Sequence, residues 1–145
     1  MFTWKYRIHA ICILSVLAII IIPQITNRPD ANKKQATTIA AQEFLQMVDA
    51  EKYADSWLIA DTYLKKTITQ QAWDDKLTKI QQAIGPVTQR SLESVSFTAP
   101  AEELPDSEFI LLEYSSQFKL KEVGEVVTVV LGEDNRWRVV GYFLQ

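Results

Sequence analysis

Five aromatic residues stand where they could line a ligand pocket. Three of them lie in helical patterns in the first half of the chain, and two lie on predicted strands in the second half. Rings at such positions either bind a small apolar ligand or fill the hydrophobic core of a domain, and the sequence leaves both interpretations open. The five residues are Tyr53, Trp57, Trp73, Tyr114 and Trp137.

A small pocket enzyme would pair one of these tyrosines, as the acid, with a carboxylate that acts as the base. Glu113 precedes Tyr114, but neighbours on a strand point to opposite faces of the sheet. Tyr53 and Asp55 are two positions apart, which places them about 200° apart around a helix. Because neither pair can meet in one pocket, the sequence predicts no catalytic residue and favours binding over catalysis.

Arg90 is the polar residue best placed to contact a ligand. It lies on a predicted strand, as does Glu125, so the two side chains could form an ion pair across the sheet or at its edge. Alternatively, Arg90 could hold an anionic ligand. The carboxylate doublets at residues 74–75 and 102–103 lack the alternating spacing of a calcium loop, so no metal site is predicted.

The composition excludes several classes of function. Cys12 is the only cysteine and His9 the only histidine, and both precede the predicted domain. That domain therefore lacks an internal disulfide, a cysteine nucleophile, a Ser–His–Asp triad and a His/Cys zinc site. The chain has a net charge of −3 and no long run of basic residues, which argues against a nucleic-acid partner.

The N-terminal segment predicts contact with a membrane. Lys5 and Arg7 precede an apolar run, and residues 8–25 approach the roughly 17–25 residues that cross a bilayer. Pro23 and polar residues follow in place of small residues at a cleavage site. We therefore expect residues 1–25 to be an uncleaved signal anchor in a bacterial inner membrane, with the domain in the periplasm. The alternative is a cleaved signal peptide and secretion to the periplasm.

The remaining chain predicts a linker and one domain. Residues 26–36 are polar and contain Pro29, as in a short tether, and residues 37–145 form the domain. Its first half has helical periodicity in three places: around Phe44, around Trp57, and from an N-cap at Thr69 onward.

The second half of the domain predicts four strands with a hairpin turn at residues 132–135. Three helices followed by antiparallel strands indicate an α+β fold, with the helices packed on one face of a curved four-stranded sheet. The predicted strands are Val87–Thr98, Glu108–Leu120, Glu122–Leu131 and Arg136–Leu144.

The assembled segments resemble the bacterial domain-of-unknown-function family numbered 4019. The resemblance implies a cone-like fold of the cystatin/nuclear-transport-factor-two-like type, usually behind a signal peptide. It implies no activity, and therefore no catalytic residue or cofactor. The segments that carry it are AAQEFLQMVDAEKYADSW (40–57), QQAWDDKL (70–77), IGPVTQRSL (84–92), LPDSEFILLEYSSQF (104–118) and RWRVVGYF (136–143).

Three functions are therefore compatible with the sequence. The leading hypothesis is a membrane-tethered, non-enzymatic module that binds a small apolar ligand or another envelope protein. The first alternative is a pocket enzyme for hydration, dehydration or isomerisation that uses Tyr and Asp/Glu. The second is a structural homodimer joined through the outer face of the sheet.

Overall fold

The computed structural model of the chain describes residues 27–145. The predicted signal anchor at residues 1–25 and its membrane contact through residues 8–25 lie outside the described residues. Within residues 27–145, no helix combines the length and the apolar character that crossing a bilayer requires.

The described part of the chain begins with four helices where the sequence predicts three. They are α1 (Ala31–Asp49), α2 (Tyr53–Ile59), α3 (Thr62–Thr67) and α4 (Gln70–Ile84).

The helix that the sequence prediction missed is α3. The Asp61 carboxylate caps it by accepting the backbone N–H of Tyr63 at 2.8 Å, and Leu64 is its buried residue. Six residues are too few for an apolar stripe to repeat, which is why periodicity did not reveal this helix.

The first helix begins earlier than the predicted domain. The Asp30 side chain accepts the backbone N–H of Lys33 at 2.9 Å, so Asp30 is the N-cap of α1. The helix therefore includes the second half of the segment 26–36, for which the sequence predicts a tether.

The boundaries of α4 agree with its sequence signals. Thr69 is the N-cap, and its hydroxyl accepts the backbone N–H of Ala72 at 3.3 Å. Gly85 ends the helix with φ of 75°, a conformation in which a Cβ would be strained.

The second half of the chain is a four-stranded antiparallel sheet, as the sequence predicts. Its strands follow chain order, so each strand pairs with the next. Shifts of register interrupt the pairing of β1 with β2 and of β3 with β4. The strands are β1 (Val87–Thr98), β2 (Phe109–Phe118), β3 (Glu122–Leu131) and β4 (Trp137–Leu144).

The core lies between the helices and the sheet, and includes buried residues of α1, α3 and α4. Helix α1 packs against β2, β3 and β4 as well as against α2, which in turn contacts α4. Three rings meet there, with the centroid of Phe44 at 5.9 Å from Trp73 and 5.8 Å from Tyr142. The Trp73 indole N–H donates to the Ser56 hydroxyl at 3.0 Å, which satisfies the polar atom of this buried ring.

One position in the core departs from the apolar pattern of its strand. On β3, buried positions alternate with half-buried ones, and three of them are Val123, Val127 and Val129. Between Val123 and Val127 this row contains Glu125, which has no exposed surface. A charged side chain in a row of valines requires partners, because burying an unpaired carboxylate is very costly.

Candidate functional site

The partners of Glu125 come from the other three strands of the sheet. Arg90 on β1 donates through Nε to Oε2 at 2.5 Å and through Nη2 to Oε1 at 3.1 Å. Tyr142 on β4 donates its hydroxyl to Oε1 at 2.6 Å, and Ser116 on β2 donates to Oε2. With four donors, the buried carboxylate is fully satisfied.

Arg90 joins this carboxylate to the end of α1. Its Nη1 and Nη2 atoms donate to the two oxygens of Asp49 at 2.7 and 2.9 Å, so the guanidinium bridges two carboxylates. Burial acts to lower the pKa of Arg90, but the hydrogen bonds and charges of Asp49 and Glu125 outweigh it and raise that pKa above its ordinary value. We call Asp49, Arg90, Ser116, Glu125 and Tyr142 the Arg90–Glu125 cluster.

The pKa values of two buried tyrosines on the sheet, Tyr142 and Tyr114, depend on their burial and on the charges of this cluster. Burial, reinforced by the charge of Glu125, raises the pKa of Tyr142 well above its ordinary value. Burial also raises the pKa of Tyr114 to about 12. Within residues 27–145 the Tyr114 hydroxyl is buried and has no hydrogen-bond partner. Both hydroxyls therefore stay protonated at neutral pH.

Beside the cluster, an open space of about 330 Å³ separates α1 from the first two strands. Two glutamine side chains and two leucines line it together with the predicted residues Arg90 and Tyr114. We call it the α1–β2 cleft. Its lining residues are Gln42, Leu45, Gln46, Arg90, Leu92 and Tyr114.

A larger groove of about 750 Å³ runs along the other side of α1, which we call the α1–β4 groove. One wall is a single face of α1, whose lining residues recur every three or four positions. The opposite walls are the α2–α3 segment and the start of β4. The lining residues are Ala40, Glu43, Phe44, Gln46, Met47, Ala50, Lys52, Leu58, Ile59, Ala60, Lys65, Arg136, Trp137, Arg138 and Val139.

The polar rim of the α1–β4 groove is mainly basic, because four cationic side chains line it against the single carboxylate of Glu43. Two of these cations have intramolecular partners. Lys65 Nζ donates to the Leu58 carbonyl at 2.5 Å, and Arg138 pairs with Asp134 at 2.6 Å. Lys52 and Arg136 are the other two, and neither forms an ion pair with a residue of 27–145.

The five aromatic residues predicted to line a pocket do not share one. Trp73 is 2% exposed and belongs to the core, whereas Trp137 is half-buried and lines the α1–β4 groove. Tyr114 lines the α1–β2 cleft on the other side of α1.

The other two predicted residues lie on α2. Tyr53 borders a cavity of only about 20 Å³, and burial raises its pKa. Trp57 packs against the core and donates its indole N–H to the Ile68 carbonyl at 3.0 Å.

Within the described residues, no three side chains of the His, Cys, Asp and Glu types are grouped so as to hold a metal ion.

Comparison with known proteins places these features in a family. The family model described as protein of unknown function (DUF4019) matches residues 40–142. The chain belongs to this family. A search of the curated proteins found no match. The matched part of this DUF4019 chain begins within α1 and ends at Tyr142, so it includes the whole Arg90–Glu125 cluster and every lining residue of the two spaces beside α1.

Sequence reasoning about the DUF4019 chain overlooked most of the α1–β4 groove. Leu58 and Ile59 are 57% and 39% exposed, although they follow Trp57 in an apolar stretch. In a seven-residue helix, such residues on the outer side could have indicated a binding surface. The basic residues on either side of Trp137 were a second signal of a binding surface, because they place cations beside an aromatic ring.

Proposed function

We propose that this protein is a non-enzymatic binding module and that its ligand occupies the α1–β4 groove. The observation that supports this proposal is the groove itself, whose volume of about 750 Å³ falls in the range that small-molecule sites occupy. Its apolar part includes Met47 and Trp137 and two exposed side chains, Leu58 and Ile59. Large apolar side chains that stay exposed beside a concave surface are typical of binding sites.

The contacts of the titratable groups favour binding over the alternative of a pocket enzyme. A general base must have a lone pair directed at its substrate. Both oxygens of Glu125 instead accept hydrogen bonds from within the sheet, and its side chain has no exposed surface. The Tyr142 hydroxyl is held by the same carboxylate. These groups act as structural supports of the sheet and of the end of α1.

We further propose that residues 8–25 tether the module to a bacterial inner membrane, with the domain in the periplasm. The support is the apolar N-terminal run without a small-residue cleavage site after it. We also propose that the four strands and their helices form a cone of the nuclear-transport-factor-two-like type. The α+β order and the core between the helices and the sheet are consistent with that architecture.

The proposal is tested by filling the groove. The full chain is purified from membranes, and native mass spectrometry after release from detergent measures any small molecule that stays bound. Ala50→Trp places an indole in the groove, where Ala50 is an exposed lining residue. Ala72→Trp is the matched control, because Ala72 is exposed on α4 and does not line the groove.

We expect the parental chain and the Ala72→Trp variant to retain a bound molecule that the Ala50→Trp variant loses, while all three keep the same unfolding midpoint. If none of the three carries a bound molecule, or if the Ala50→Trp variant retains it, the α1–β4 groove is not the binding site and the proposal fails.

A further inference from the structure

We infer that the ligand of the α1–β4 groove is a single-chain amphiphile with a carboxylate head, that is, a long-chain fatty acid; this inference rests on the proposed function. It is carried by the combination, in one groove, of exposed apolar side chains and two exposed cations, Lys52 and Arg136, that form no ion pair with a residue of 27–145.

The shape of the groove suits a single acyl chain. Its α1 wall extends from Ala40 to Ala50, which corresponds to about 15 Å of helix at 1.5 Å per residue. Both ends of this wall are alanines, whose small side chains leave the groove open at these two positions. Leu58 and Ile59 supply apolar surface that an acyl chain would remove from water.

The charges of the groove select the head group. Four cations and the carboxylate of Glu43 line the groove, and Asp134 pairs with Arg138, which leaves a net charge of +2 there, whereas the whole chain has a net charge of −3. Lys52 and Arg136 are exposed and form no ion pair within residues 27–145, so both can contact a ligand. The planar guanidinium of Arg136 can bind a carboxylate through two parallel hydrogen bonds. A positively charged head group would be repelled.

The position of the groove is also suited to a ligand that resides in a membrane. Trp137 pairs with Leu131 at one end of the sheet, and the register places Thr98 at that same end. The backbone of Asn27 pairs with Phe97 next to it. Residue 27 lies two positions after the end of the predicted membrane segment in sequence. The β4 wall of the groove thus begins at the end of the sheet where the chain arrives from that segment.

The inference is tested by photo-crosslinking the full chain in phosphatidylcholine nanodiscs. Three probes share one diazirine-bearing alkyl chain and differ in the head group: a carboxylate, an alcohol or a trimethylammonium. Mass spectrometry of peptides locates the labelled residues. The variant is Lys52→Gln with Arg136→Gln. The control is Lys79→Gln with Lys121→Gln, which removes two exposed lysines that do not line the groove.

We expect the carboxylate probe to label Met47, Leu58 or Ile59 about fivefold more than the alcohol probe, since an exposed ion pair of about 1 kcal/mol changes affinity by this factor. The Lys52→Gln/Arg136→Gln variant should bring the labelling by the carboxylate probe down to the level of the alcohol probe. The control should preserve the difference.

The two ways of failing can be distinguished. Equal labelling of the groove by the carboxylate and alcohol probes, unchanged in the variant, would overturn the fatty-acid inference and leave a binding groove for neutral ligands. Preferential labelling by the trimethylammonium probe would do the same and leave a groove for cationic ligands. If no probe labels the groove, both the inference and the proposed groove are wrong.

Discussion

Replacing Arg90 by methionine tests the energetic role of the Arg90–Glu125 cluster most directly. Methionine keeps much of the length and apolar contact of the arginine side chain but removes all five N–H donors. Among the partners of Glu125 within residues 27–145, the substitution would remove the one cation while the carboxylate stays fully buried. In this part of the chain, the hydroxyls of Ser116 and Tyr142 would then be the two donors left to it.

The expected loss follows from these contacts. Breaking a buried ion pair by removing one partner typically costs about 3–5 kcal/mol, because the remaining charge is buried without compensation. Asp49 would also lose a partner, but its side chain is 27% exposed, so this second ion pair adds about 1 kcal/mol or less. A total of about 4 kcal/mol is a large share of the roughly 5–15 kcal/mol that stabilises a domain.

Urea unfolding of the full chain in a mild non-ionic detergent, followed by tryptophan fluorescence, measures this loss. With a slope of about 2 kcal/mol per M, the midpoint should fall by about 2 M. The matched control is Arg138→Met, which breaks an exposed i,i+4 pair with Asp134 and should leave the midpoint close to the parental value.

A second substitution separates loss of charge from loss of packing. Adding Glu125→Gln to Arg90→Met removes the uncompensated charge, so the double variant should be more stable than Arg90→Met alone. If Arg90→Met unfolds at the same midpoint as Arg138→Met, or if Glu125→Gln destabilises it further, water solvates Glu125 and the argument from burial is wrong.

Three further predictions concern the core, the tyrosines and the N-terminus. Trp73→Ala should cost about 3–5 kcal/mol in urea unfolding, whereas Trp137→Ala, at a half-buried ring, should cost clearly less; equal losses would contradict this difference. The free energy of unfolding should be maintained up to pH 10 and then fall towards pH 12. The unfolded chain releases the Tyr114 proton near pH 10, whereas the folded chain retains it up to about pH 12. Tyr114→Phe should reduce this decline, and an unchanged slope would refute the assignment. Because of residues 8–25, the full chain should stay in the membrane fraction after an alkaline carbonate wash, and a shortened, soluble periplasmic form would show instead that the segment is cleaved.

Local patterns were sufficient to predict most of the fold. The Thr69 cap, the Gly85 stop and the apolar stripe between them determine α4, since each acts through neighbours within a few residues. Alternation and the turn before β4 likewise identified the strands and their antiparallel order. The short helix α3 was missed because its one capping bond and one buried leucine leave no periodic pattern.

The candidate sites could be predicted only in part. Glu125 stands in an alternating row of valines on one strand, and Arg90 lies on another strand. Because both residues lie on predicted strands, an ion pair between them could be considered from the sequence. The further partners of Glu125, Ser116 and Tyr142, could not be predicted, because the register of β2 on β3 and the shift in the pairing of β3 with β4 decide which residues face each other. Whether the five aromatic residues share one pocket also depends on how α1 crosses the sheet, and no local pattern in the sequence specifies this.

By itself, the sequence of this protein determined the type and order of its elements except for α3, and its lack of histidine and cysteine chemistry beyond the N-terminal segment; it also predicts attachment to a membrane. Each of these follows from residue identity or from contacts between near neighbours in the chain. The tertiary structure alone decided that α1 separates Tyr114 from Trp137, and that Lys52 and Arg136 border one groove. These two cations are more than eighty positions apart in sequence, and only the packing of α1, α2 and β4 around one core brings them to the same surface.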